Sequence, residues 1–209
     1  MTNAIQIAIF AKAPVPGYAK TRLIPLLGPV GAADLHALLV RRTIRTALSS
    51  SLQPVSLWCT PDRTHQMFGS LSNEFSIDTH AQCGDSLGAR MSHAFETLTP
   101  FGPTMVIGTD CACLTADDLR SCATALRNGA KAVFIPAEDG GYALVGLHEP
   151  TSQLFADIPW GTSEVMVKTR ERLVELGLGA FEARQLWDID TPEDYRRAER
   201  AGLLKDGAG

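Results

Sequence analysis

Aromatic residues are scarce in this 209-residue chain, at 7%. No unbroken apolar run approaches the roughly 20 residues needed to span a bilayer, so a membrane role is not expected. Cysteine is sparse as well. The five residues (Cys59, Cys83, Cys111, Cys113, Cys122) are odd in number and irregularly spaced, which excludes a disulfide framework and suits reduced thiols. Cys111-Ala-Cys113 has too short a spacer for the usual metal or redox pair and no His or second Cys pair beside it, so its thiols read as packing. Positive charge is not in excess: 19 Lys and Arg against 23 Asp and Glu give a net −4, which argues against a general nucleic-acid binder. No signal peptide is legible, because the first apolar run, Ala4 to Ala11, lacks a basic lead and meets Lys12 at once. Linkers, repeats and low-complexity stretches are missing too. The expectation is one soluble, cytoplasmic domain over residues 1–209, its tail from Lys205 to Gly209 frayed.

What the chain does have is an ordinary globular balance, 45% hydrophobic and 20% charged. At this length it can bury roughly 70% of its unfolded surface and needs no metal or disulfide to hold a core. Its charge is uneven. Residues 1–50 carry Lys12, Lys20, Arg22, Arg41, Arg42 and Arg45 against Asp34, a local +5, which leaves −9 for the rest. A basic start on an acidic protein points to a small anionic ligand rather than a polyanion.

Short apolar runs alternate with amphipathic ones. Ala4–Phe10, Pro54–Cys59, Phe75–His80, Thr104–Thr109, Ala132–Ala137, Tyr142–Leu147 and Leu186–Ile189 read as strands. Gly31–Ser50, Asp62–Leu71, Gly84–Thr99, a segment opened by Thr115, Thr162–Leu176 and a final segment after Thr191 read as helices. Thr115 with Asp118, and Thr191-Pro192-Glu193-Asp194, are capping boxes. This alternation predicts an α/β fold with a mostly parallel sheet covered on both faces.

In such sheets ligands bind beyond the carboxyl ends of the strands. Four polar clusters fall at predicted strand ends. In the first, Lys12 to Arg22, Gly17 gives backbone clearance and Lys12, Lys20 and Arg22 give cations, a combination that suits phosphate oxygens; a solvated loop is the competing reading. The second is Asp110, which directly follows a buried strand and has no helix to cap, since Thr115 already does so; its carboxylate suits Mg²⁺. The third, Glu138-Asp139-Gly140-Gly141, is either a hairpin turn or a place where a sugar or acceptor comes close. The fourth is Asp188-Ile-Asp190, two carboxylates on one side of an extended segment, costly unless a cation or basic group lies between them. Asp110, Asp188 and Asp190 together would make an oxygen-only Mg²⁺ site. The five histidines share no ligand spacing, no Gly-x-Ser-x-Gly elbow exists, and Trp160 reads as packing.

Six segments add a resemblance: FAKAPVPGYAKTRL (10–23), GDSLGARM (84–91), IGTDCACL (107–114), EDGGYALVGL (138–147), IPWGTSEV (158–165) and DIDTPEDY (188–195). In this order, over residues 5 to 200, they resemble the radical-SAM/selenodomain-associated transferases, also labelled arsenosugar-biosynthesis glycosyltransferases. More distantly the chain is similar to 2-phospho-lactate guanylyltransferase and the molybdenum-cofactor guanylyltransferases. The resemblance implies the GT-A-like, nucleotide-diphospho-sugar transferase three-layer fold and an enzyme using a nucleotide sugar or NTP donor, a small-molecule acceptor and Mg²⁺ (or Mn²⁺). It implies donor-phosphate binding by Lys12, Gly17, Lys20 and Arg22, and a metal on Asp110 with Asp188 or Asp190. Asp139, Gly140 and Gly141 would border the acceptor or sugar pocket, with Asp139 as the acceptor's base. Two departures stand out. Ala112 replaces the family's Pro, and it also removes the second acid of the Asp-x-Asp pair found in many GT-A glycosyltransferases. A single strand-end Asp equally fits a nucleotidyltransferase that releases pyrophosphate. A third reading is a non-catalytic nucleotide-binding accessory protein.

Overall fold

The computed structural model describes residues 4–204. Seven strands form one sheet: β1 (Gln6–Lys12), β2 (Val55–Thr60), β3 (Asp78–Ala81), β4 (Thr104–Ile107), β5 (Ala132–Pro136), β6 (Tyr142–Leu147) and β7 (Ala180–Glu182). Their order is β3-β2-β1-β4-β6-β5-β7, and β6 alone runs against its neighbours. The mostly parallel three-layer α/β architecture predicted from the sequence is what the chain adopts. Alternation along β1 shows why it needs cover on both faces. Ile7 and Ile9 enter a core closed by α1 (Ile24–Ser49), α2 (Gln66–Phe75) and α4 (Ala116–Arg127). Ala8 enters the opposite core, closed by α3 (Leu87–Leu98) and α5 (Val165–Glu175).

Three expectations change. Leu186–Ile189 is not a strand: Leu186 makes one isolated bridge to Ala137, and the segment then crosses the sheet edge, with the Ile189 N–H donating to the Asp110 carbonyl at 2.9 Å. The seventh strand is instead the short, half-exposed Ala180–Glu182, whose weak apolar pattern left no trace in the sequence. The third change concerns apolar length. Thr21–Ser49 is long and apolar enough, by length and composition, to cross a membrane. Its many small residues disguise this in the sequence. In the fold the stretch is broken by Gly28 (φ 70°) and lays Leu39, Val40 and Ile44 into the protein's own cores.

Both capping boxes form. At α4 the Thr115 hydroxyl accepts from the Asp118 N–H while the Asp118 carboxylate accepts from the Thr115 N–H. Asp118, 9% exposed, also receives two Arg184 hydrogen bonds at 2.7 Å, tying α4 to the segment after β7. Burial alone would raise the Asp118 pKa, but the Arg184 and Thr115 hydrogen bonds outweigh it and hold it below the usual carboxylate value. A lowered folded pKa contributes stability above the unfolded value that is lost as pH falls through the folded one. Asp118→Ala is therefore expected to cost about 2 kcal/mol, most of it from the cap because Arg184 is half exposed and screened. Thermal melts should show a Tm drop of about 4–8 °C at pH 7 that shrinks at pH 3. An equal drop at both pH values would reject the ionic part of this account.

Candidate active site at the carboxyl edge

Because β1, β2, β3, β4, β5 and β7 all point the same way, the segments that follow them meet at one edge of the sheet. Four of them carry the predicted clusters: the loop after β1, Gly108-Thr109-Asp110 after β4, the β5–β6 turn, and residues 186–190 with the start of α6 (Pro192–Arg200). The turn is a hairpin, one of the two readings open in the sequence. The loop after β1 and the Asp110 turn line a cleft of about 480 Å³ whose walls include Lys12, Lys20, Arg22, His36, Arg90 and Asp190.

Lys20 is the centre of the arrangement. Its backbone is left-handed (φ 46°, ψ 46°) and its side chain only 5% exposed. The ammonium lies 2.6 Å from Asp110 Oδ1 and donates to Asp190 Oδ1 at 2.8 Å. Burial by itself would lower its pKa, yet the charges of Asp110 and Asp190 lift it above the ordinary lysine value. The basic group that two nearby carboxylates require is thus a residue expected to face phosphate. Lys12 donates from Nζ to the Tyr18 carbonyl at 2.9 Å, and Arg22, 73% exposed, reaches Asp190 Oδ2 at 3.9 Å. These two cations remain turned toward solvent at the mouth. Gly17 (φ 85°) has open space where a Cβ would stand.

Asp139, Gly140, Gly141 and Asp188 do not line this cleft but lie beside its acidic wall. Asp139 Oδ1 accepts from the Gly141 N–H at 2.8 Å, which fixes its rotamer. Gly140 (φ 90°) has another reason to be glycine than the one expected: a Cβ there would meet the Ser163 carbonyl oxygen at 2.1 Å, so the close neighbour is the protein's own backbone. Asp188 is pushed up to about 8, first by burial and then by Asp110, Asp139 and Asp190, with Lys20 opposing. All four acids therefore share one electrostatic neighbourhood that Lys20 does not neutralise.

Among the described residues no three His, Cys, Asp or Glu side chains converge as metal ligands, so Asp110, Asp188 and Asp190 do not form a ready three-carboxylate cage. The physical reason is Lys20, which takes the place between Asp110 and Asp190. The residues nonetheless fit Mg²⁺. Asp110 Oδ1 is buried and, though close to Lys20, has no aligned hydrogen-bond donor. The uncompensated acids supply hard oxygens, and Mg²⁺ commonly takes only one or two carboxylates beside substrate phosphates.

Sequence reasoning missed two wall residues. His36, on α1, hydrogen-bonds through Nε2 to the Lys12 carbonyl at 2.9 Å, with Nδ1 3.9 Å from Asp110 Oδ1. Burial, the largest cause, lowers its pKa, so the ring is neutral and donates to that carbonyl. Arg90, on α3, reaches the Gly84 carbonyl and Thr60 Oγ1. His36 is an isolated residue on an amphipathic helix, and Arg90, although inside the GDSLGARM segment, follows no strand-end cluster that would mark it as a wall residue. Trp160 packs as read, against Gly88, with Tyr142 in an edge contact at 6.2 Å.

The fold recurs in solved structures. One from Desulfovibrio desulfuricans G20, provisionally named a nucleotide-diphospho-sugar transferase, is 24% identical with TM-score 0.87, over 100% of this chain and 90% of that one. A nucleotidyl transferase from Methanothermobacter is 14% identical with TM-score 0.64, over 97% and 99%. A cytidylyltransferase from Leptospira borgpetersenii is 13% identical with TM-score 0.62, over 100% and 99%. A search of curated proteins finds no match. Residues 43–162, more than half of the chain, match the family described as uncharacterized protein conserved in bacteria, and the chain thus belongs to this family, DUF2064, on a fold shared with nucleotide-diphospho-sugar transferases and nucleotidyltransferases.

Proposed function

We propose that the protein is a Mg²⁺-dependent transferase that takes a nucleotide-activated donor, in the first instance a nucleotide-diphospho-sugar whose glycosyl group passes to a small-molecule acceptor. The observation that carries this reading is the cleft at the carboxyl edge, whose wall holds Lys12, Arg22 and Arg90 together with Asp110 and Asp190, with Asp139 and Asp188 close behind the two acids. A diphosphate needs cations on one side, and a divalent ion on it needs carboxylates on the other. Asp110, with Asp188, would hold Mg²⁺ (or Mn²⁺), which when bound neutralises charge on the leaving diphosphate. Lys20 holds Asp110 and Asp190 in place, and Lys12, Arg22 and Arg90 orient the phosphates. Asp139, its rotamer fixed by Gly141, accepts the proton of the acceptor hydroxyl. All five cysteines are unpaired, which fits a reducing cytoplasm.

A second reading, nucleotidyl transfer, is favoured by the lone acid after β4, with Ala112 two residues on, and by the names of several structural neighbours. The two differ in the bond broken. Slow donor hydrolysis, with water in place of the acceptor, separates them without knowledge of the natural substrate. A panel of UDP- and GDP-sugars with Mg²⁺ is expected to release UDP or GDP, while NTPs release no pyrophosphate. Pyrophosphate from an NTP with every nucleotide sugar intact would replace the first reading by the second. Asp110→Ala should weaken Mg²⁺-dependent UDP or GDP binding by about 10–100-fold, as expected for a lost charged interaction. Calorimetry giving wild-type affinity would remove Asp110 from the site.

A further inference from the structure

The turn that follows Asp110 holds a feature that the transferase reading does not use. Cys111 and Cys113 stand on either side of buried Ala112, and their sulfurs are 3.6 Å apart. Sequence spacing alone argued for packing. The fold instead aims both thiols at each other.

We propose that Cys111 and Cys113 are a redox modification site, closing to a reversible intrachain disulfide on reaction with hydroperoxides. A disulfide needs the sulfurs at about 2.05 Å, so each side chain has to travel less than about 1 Å. Accessibility divides the roles. Cys113 is half-buried and meets the oxidant, whereas Cys111 is buried and waits beside it as the resolving thiol. The hydrogen bond from Cys111 holds the Cys113 thiol below the ordinary cysteine value and raises that of Cys111, which fits the division of roles that exposure sets. Cys59 and Cys122 are buried apart from any sulfur partner, their thiols pushed up to about 12 by burial.

The chemistry balances without any group outside the pair and the peroxide. The Cys113 thiolate attacks a peroxide oxygen, the O–O bond breaks, and the released alkoxide or hydroxide takes a proton, leaving Cys113 as a sulfenic acid. The Cys111 sulfur attacks the sulfenic sulfur, the S–O bond breaks, and water leaves with the Cys111 proton. Two thiols lose two electrons, and the peroxide is reduced to alcohol or water. A small thiol reverses the bond by exchange.

The pair also sits at a junction. Cys111 follows Asp110 directly, and Cys113 Sγ lies 3.5 Å from the carbonyl oxygen of Trp187, the residue before Asp188. The two chain segments that bring acids to the cleft meet across these sulfurs.

The test uses the full-length chain with Cys83→Ser, which removes the exposed cysteine and leaves four. Hydrogen peroxide at low excess, followed by denaturing thiol titration and peptide mass mapping, is expected to take four thiols to two. The peptide carrying Cys111 and Cys113 should be lighter by two hydrogen atoms, and dithiothreitol should restore it. Adding Cys111→Ser should divert Cys113 to sulfenic and higher acids, and adding Cys113→Ser should leave Cys111 reduced. Four thiols persisting through the treatment, or oxygen added to Cys113 with Cys111 intact, would overturn the proposal. The mapping of the chain with both thiols present decides the matter even where a serine variant folds poorly.

Discussion

Replacing Lys20 with methionine is expected to lower Tm by about 6–12 °C in metal-free buffer at pH 7, while restoring part of the loss when millimolar Mg²⁺ is added. The side chain length is kept and only the charge is removed. That leaves Asp110 Oδ1 buried and Asp190 facing it, with Asp139 and Asp188 near enough to add repulsion. Removing one partner of a buried ion pair typically costs about 3–5 kcal/mol because the remaining charge is stranded. Asp110 and Asp190 are 46% and 39% exposed, so water screens them and the lower figure of about 3 kcal/mol applies. At about 2–4 °C per kcal/mol for a chain of this size, the predicted Tm change follows. Mg²⁺ restores stability because it supplies the charge that Lys20 no longer does. An unchanged Tm would mean the ion pairs contribute nothing, and a loss that Mg²⁺ leaves untouched would mean the carboxylates cannot gather round a cation.

Gly140→Ala is expected to be worse, at about 4 kcal/mol, with Tm falling by roughly 8–16 °C. Two costs add. A left-handed backbone at φ 90° disfavours any Cβ by about 1–2 kcal/mol. The Cβ would also lie 2.1 Å from the Ser163 carbonyl oxygen and 2.6 Å from its carbonyl carbon, which are backbone atoms that cannot rotate aside, an overpacking cost of about 1–3 kcal/mol. The hairpin would have to part from α5, and the hydrogen bond from the Met166 N–H to the Gly140 carbonyl, 2.8 Å, would go with it. Gly17→Ala is the control. Its φ of 85° is similar, but nothing lies within 4 Å of the added Cβ, so about 1–2 kcal/mol of backbone strain is the whole cost. Equal melting shifts for the two variants would show that the Ser163 contact is not what Gly140 serves.

These two glycines illustrate how far the sequence could be read. Both sit in polar, turn-like contexts and both were expected to make room for a ligand. Only the packing of α5 against the hairpin separates them, because a contact between residues 140 and 163 carries no local pattern. Asp110 was legible, since an acid beyond a buried strand is brought to the edge by the geometry of the sheet, whereas Asp188 and Asp190 were read at the end of a strand that does not form. What filled the space between Asp110 and Asp190 was not legible. Lys20 stands in the same basic loop as Lys12 and Arg22, and nothing in its neighbours marks it as the cation that turns inward.

By itself the sequence determined the alternation of strand and helix, both capping boxes and the polar character of the basic loop, because these depend on residues close together in the chain. Period-two and helical spacing, a Thr with an Asp three residues on, and a glycine among cations are local signals. Tertiary structure alone decided that Leu186–Ile189 crosses the edge rather than pairing along it, that an apolar stretch long enough for a bilayer packs into the protein's own cores, and that Lys20 turns inward between Asp110 and Asp190. It also decided that Cys111 and Cys113 face each other, since a one-residue spacer can turn two side chains together or apart depending on the backbone between them. Each of these outcomes is set by competition among distant partners for the same space and charge, and that competition exists only once the sheet has brought its edge together.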